Sequence, residues 1–134
     1  GNARPKPLPE VKEVRLFDVP IPTSTDDEVE VLVHVVVESY RISRAILLDQ
    51  NRTVEAVQPR HILMYLMRSE LKKSFPVIAG YLNRDHTTVM HGYSKIEQLI
   101  QTAQSVRDNV EELRRRYQEL MAVNLILALP EYEE

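Results

Sequence analysis

The chain contains no cysteine and no tryptophan, and the lack of cysteine removes disulfides and thiolate metal sites. No apolar run approaches the roughly 18 residues that a bilayer span needs, so no membrane partner is expected. A glycine-rich phosphate loop ending in Lys-Ser or Lys-Thr is also missing, and with it the usual cradle for a nucleotide. The expectation is a soluble, cytoplasmic protein that carries no cofactor. The chain opens Gly1-Asn2-Ala3 with neither an initiator methionine nor a charged-then-apolar leader pattern, so its natural start is not in view. Its 134 residues suit one core with flanks, and two full domains would be a tight fit.

A surplus of positive charge is missing too: the net charge is -3, which argues at first sight against a nucleic-acid partner. The distribution reverses that inference. Residues 41 to 95 hold nine Lys and Arg against four Asp and Glu, a net of +5, while each flank holds four against eight, a net of -4. Such segregation is what a domain with one phosphate-facing surface would show.

Prolines at 5, 7, 9, 20 and 22 remove backbone donors and favour an extended arm over residues 1–25, with Leu16 and Phe17 available to dock on the body. Thr23 to Glu28 supply a helix start, and Val29, Leu32, Val33, Val36 and Val37 mark a helix to about Tyr40, although so much valine also suits a strand. Ser43 can cap a short helix to Leu48, followed by an exposed polar loop from Asp49 to Thr53. Pro59 fits the first turn of a helix ending near Lys73. Ser74-Phe75-Pro76 then caps a short helix to Leu82, Asn83 suits a left-handed turn, and Asp85 caps the next helix. Two short helices joined in this way form a helix-turn-helix, whose second helix carries His86, Thr87 and Thr88 in its first turn.

Ile96, Leu99, Ala103, Val106, Val110, Leu113, Tyr117 and Leu120 recur in steps of three and four, a heptad seam that would suit a coiled coil. Ser105 with Asp108 makes a capping-box pattern instead, so the preferred reading is a new helix that folds back onto the domain. The seam leaves open a homodimer or a protein partner through the C-terminal helix. A metal site finds no support, since His86 and His91 face different sides of a helix with no carboxylate placed to complete a ligand set. Catalysis by Asp85 and His86 would need a nucleophile and a buried cleft, which an exposed helix start does not supply.

The run Arg84-Asp85-His86-Thr87-Thr88-Val89-Met90-His91-Gly92-Tyr93-Ser94-Lys95-Ile96-Glu97 closely resembles the signature of the C-terminal DNA-binding domain of the bacterial replication initiator DnaA. The resemblance extends upstream through Pro59-Arg60-His61, Tyr65-Leu66 and Ser74-Phe75-Pro76-Val77-Ile78, covering about residues 26–121 and leaving 122–134 as a tail. It implies an all-α, Trp-repressor-like helix-turn-helix domain of about six helices, here without the initiator's ATPase domain. Its partner would be double-stranded DNA in the nucleoid.

The resemblance also implies roles. Arg60, His86 and Asp85 would reach base edges, and Thr87 and Thr88 thymine methyls and phosphate. Arg52 would enter the minor groove, though it also reads as a plain solvated loop charge, while Arg68 and Lys95 would contact phosphate. His61, Arg84 and Ser94 complete the expected DNA-binding set. The chain departs from the family pattern at Asn51, Val54, Glu55 and Gln58, where basic or small polar residues are usual, at His61, where glutamine is common, and at Asn83, which stands alone where two glycines are usual. The resulting function is sequence-specific DNA binding by a stand-alone initiator-like replication or transcription regulator. The alternative is a helical protein-interaction module that uses the 96–120 seam.

Overall fold

A computed structural model describes residues 25–50 and 53–127. The described residues are all-helical: α1 (Thr25–Tyr40), α2 (Arg44–Leu48), α3 (Val54–Ser69), α4 (Phe75–Leu82), α5 (His86–Thr102) and α6 (Gln104–Leu127). The expected proline-rich arm, apart from Thr25, lies outside the described residues, as do Arg52 and the last seven residues. No described helix is long and apolar enough to cross a membrane.

Helix α1 is a helix despite six valines because it is the central element. Val29, Val31, Leu32, Val33, Val35 and Val36 are all buried, against α6, α3 and α2. Valine costs roughly half a kcal/mol of helix propensity per residue relative to alanine, whereas burying such a side chain gains about 1.5–3 kcal/mol. Burial therefore wins, and it removes the strand alternative. It also places Val31 and Val35 in the core, beyond the single stripe read from the sequence.

Helix α3 begins five residues earlier than expected, so Pro59 lies inside it and not in its first turn. A proline there removes one main-chain hydrogen bond, a cost of about 3 kcal/mol in a helix interior. The upstream turn forms because it buries Ala56 completely and the Pro59 ring itself. The helix also stops at Ser69, short of Lys73: Lys72 turns left-handed at φ 61°, and the Lys73 N–H returns to the Met67 carbonyl at 3.1 Å. This is the close expected of a helix whose last carbonyls need donors.

Two of the three glycines, Gly80 and Gly92, lie within helices, so the left-handed positions at the ends of α1, α3 and α4 fall to Arg41, Lys72 and Asn83. Asparagine tolerates that geometry, whereas arginine and lysine do so only at a cost.

The heptad seam does not continue as one rod. The chain breaks at Ala103 (φ -127°, ψ 108°), where the Arg107 guanidinium donates to the Ile100 carbonyl at 2.7 Å, and α6 folds back along α1. Val106, Val110, Leu113 and Tyr117 are thereby buried in the chain's own core. The expected pairing of Ser105 with Asp108 is not what starts the helix; Asp108 accepts from Gln104 at 2.9 Å. Glu70, just past α3, fastens α6 by accepting from Arg114 (3.0 Å) and Gln118 (2.9 Å).

Replacing Lys72 by glycine removes the Cβ from a left-handed position without disturbing the core. The expected outcome is a gain of about 1 kcal/mol, read as a rise of roughly 4 °C or more in the thermal midpoint. A lower midpoint would contradict the assigned helix end.

Candidate nucleic-acid interface

The site is built on the crossing of α5 over α3. Val89, Gly92 and Ile96 are the inward positions of α5, and a Cβ added to Gly92 would stand 2.5 Å from Met64 Sδ and 2.9 Å from His61 Cδ2. Only a residue without a side chain lets the two helices approach this closely. At the next residue, Tyr93 stacks on Tyr65 (5.2 Å between centroids) and meets Phe75 edge-on (5.4 Å), while the Arg68 guanidinium lies 4.6 Å above the Phe75 ring. These contacts tie α3, α4 and α5 into one body.

Helix α4 ends at Asn83 (φ 55°), and the Arg84 N–H returns to the Ala79 carbonyl at 3.0 Å, closing a tight turn. Asp85 then caps α5, its carboxylate accepting from the Thr87 N–H at 3.2 Å. Because the inward face is fixed by Val89, Gly92 and Ile96, the opposite face presents His86, Thr87, Thr88, Ser94 and Lys95 to solvent, as the sequence implied. Met90 (41% exposed) and His91 lie on that face as well. Neither was among the expected contacts, although their i+4 spacing from His86 and Thr87 marks them as neighbours.

Other expected contacts sit differently. Arg60 is only 5% exposed: its Nε donates to the Leu47 carbonyl at 2.7 Å and its Nη2 to the Ile46 carbonyl at 2.9 Å. In this position it braces the end of α2 and does not reach outward to a base edge. Arg84 likewise turns inward, its Nη2 donating to the Asp49 carbonyl. His61 is half-buried beneath α5, against Gly92. Arg68 remains exposed, with Nη1 donating to the Lys73 carbonyl at 3.2 Å. Arg52 lies outside the described residues.

Main-chain carbonyls do not neutralise arginine, so Arg60 and Arg84 still contribute their charge. Its effect is visible on His61, whose pKa is held below the ordinary 6.5 by burial first and then by the charges of Arg60, Lys95 and Arg84. Burial and Arg84 push the Arg60 pKa down as well, against a smaller opposing effect from Asp49. The seam between the turn, α3 and α5 is therefore a region of positive potential, framed by polar side chains at a helix start. That combination suits an extended polyanion.

Fold and site together define a helix-turn-helix domain. The chain belongs to the bacterial DnaA helix-turn-helix family, whose model, described as "Bacterial dnaA protein helix-turn-helix", matches residues 29–96. Among curated relatives, the chromosomal replication initiator proteins DnaA of a Rhodopseudomonas palustris strain and of Nitrobacter winogradskyi are each 38% identical over 120 residues, which is 88% of this chain and 25% of theirs. The Nitrobacter hamburgensis protein of the same name is 40% identical over 93 residues, 69% of this chain and 20% of its own. The chain thus spans about a quarter of the length of these relatives.

Two outcomes test the placement of the inner residues. Arg60→Ala leaves the Ile46 and Leu47 carbonyls without their charged donor and should lower stability by about 2–3 kcal/mol in denaturant unfolding; an unchanged midpoint would mean that the guanidinium faces outward. His61 is favoured neutral in the fold, so the unfolded chain binds more protons just below pH 6.5. Its contribution is fully present above that value and is lost as the pH falls toward the lowered, folded pKa. The thermal midpoint of His61→Gln should accordingly fall less between pH 7 and 5 than that of the unaltered protein, and parallel curves would contradict the assignment.

Proposed function

We propose that this domain binds double-stranded DNA sequence-specifically, with the first turns of α5 in the major groove, as part of a regulator of replication initiation or transcription. The observation that carries the reading is the exposed polar face of α5, from His86 to Lys95, set on a seam of positive potential. An α-helix fits the major groove, where side chains on its outward face meet base edges.

The side chains divide by role. Asp85, His86, Thr87 and Thr88 are at the start of α5 and read bases, with the threonine methyls suited to thymine. Lys95, a turn and more further along, and Arg68, beside the start of α4, serve phosphate and so position the protein without reading sequence. Ser94 stands one step before Lys95 and fits the same use. Met90 and His91 extend the reading face beyond the residues expected from the sequence. The reading is of a binding module: no bound cofactor is needed for any of these contacts.

Selection from a random-duplex library at two salt concentrations tests the proposal. The expected result is an enriched motif and an affinity that falls steeply with salt. His86→Ala should cost roughly 1–3 kcal/mol and relax the preference at one base pair, whereas Lys95→Ala should weaken all duplexes alike and reduce the salt slope by about one. Absence of both an enriched motif and a salt dependence would overturn the reading.

A further inference from the structure

The end of α2 and the turn before α5 are more than thirty residues apart in sequence, yet side chains fasten one to the other. Gln50 Nε2 donates to the Asn83 carbonyl at 2.9 Å, and Arg84 Nη2 donates in the reverse direction to the Asp49 carbonyl. Behind them, the two Arg60 bonds hold the Ile46 and Leu47 carbonyls. The carbonyls of 46, 47 and 49 stand at the end of a short helix, where the main chain itself supplies few donors; that of Ile46 also accepts from the Asp49 N–H at 3.3 Å. Three side chains from elsewhere in the chain thus hold four main-chain oxygens around the start of α5.

The turn itself does not need the Gln50 bond, because the Arg84 N–H already closes it onto Ala79. Nor does the fold gain much from that bond, since both groups are solvent-accessible and such a bond nets about 1 kcal/mol. What it does fix is direction. Helix α5 rests on α3 at Gly92, and its first turn stands six residues away, about 9 Å at 1.5 Å per residue. A tilt of about 7° about that crossing would carry His86 and Thr87 by about 1 Å, enough to spoil a hydrogen bond to a base edge.

We propose that Gln50 is a positioning residue for base reading, with Arg84 as a second tie. It holds the turn before α5 against the end of α2, so that the reading side chains meet a duplex at a fixed angle. The proposal rests on the DNA-binding reading above.

Gln50→Leu tests it, since leucine has a similar bulk, no donor and no charge. With the unaltered protein, affinities are measured at one salt concentration for its selected duplex and for a scrambled duplex of the same length, and the comparison is repeated with the variant. The expected result is a fall of about tenfold in the ratio of specific to non-specific affinity, of the size of one lost base contact. The scrambled-duplex affinity and the salt slope should stay as they are, and the thermal midpoint should fall by no more than about 4 °C, the share of one exposed hydrogen bond. Amide hydrogen exchange should quicken at Asn83 and Arg84, whose N–H groups close the turn, and not in α1 or α6. A merely structural role would lower the midpoint and both affinities together. An equal ratio in variant and unaltered protein overturns this inference alone, as does unchanged exchange at the turn. Absence of any sequence preference in the unaltered protein overturns both the inference and the reading it rests on.

Discussion

The approach of α5 to α3 at Gly92 is the constraint on which the rest of the site depends. With Met64 Sδ and His61 Cδ2 already where a side chain would have to be, the two helices cross closely enough for Val89 and Ile96 to be buried on either side of the contact. Once those three positions face inward, the helical repeat leaves His86, Thr87, Met90, His91 and Ser94 no direction but outward. The Tyr65, Tyr93 and Phe75 rings then extend the contact to α4, so the two halves of the helix-turn-helix are held by packing as well as by the turn between them.

Positive charge in the middle of the chain serves two purposes that a count of residues cannot separate. Arg44 is neutralised by a two-pronged pair with Glu30, which also accepts from the Tyr81 hydroxyl, and this joins α1, α2 and α4. Burial and the neighbouring Glu30 carboxylate raise the Tyr81 pKa to about 12, so the phenol stays a donor. Arg60 and Arg84 donate to main-chain carbonyls, which leave their charge in place, and Asp49 offsets only part of that of Arg60. Their charge adds to the field around the start of α5, while the exposed polar and basic side chains there are those of α5 itself and Arg68.

The C-terminal helix has its own logic. It buries Val106, Val110, Leu113 and Tyr117 against the valine-rich α1 and is fastened through Glu70. Its outer face carries intrahelical pairs such as Arg115 with Glu112 and Glu119, at 2.6 and 2.5 Å, which are exposed and add little stability. The seam that resembled an oligomerisation motif thus closes the domain's own core, and the acids it carries, Asp108, Glu111, Glu112 and Glu119, lie on a helix other than α5.

Local chemistry is what the sequence determined by itself. Ser43, Ser74 and Asp85 accept main-chain N–H groups where capping residues were expected, Asn83 takes the left-handed turn, and the outward run from His86 to Thr88 follows from helical period alone. These depend on neighbours within four residues, so they are legible one segment at a time. Tertiary structure decided the rest. Pro59 lies inside α3 because burial of Ala56 and of the Pro59 ring together offsets a lost hydrogen bond, and the heptad seam turns inward because a periodic apolar stripe is the same whether its partner is another chain or the chain's own core. Arg60 and Arg84 turn inward because the carbonyls that attract them belong to α2 and the loop after it, thirteen to thirty-five residues away. A guanidinium matches such oxygens as readily as a base edge, and only the folded arrangement decides which it meets.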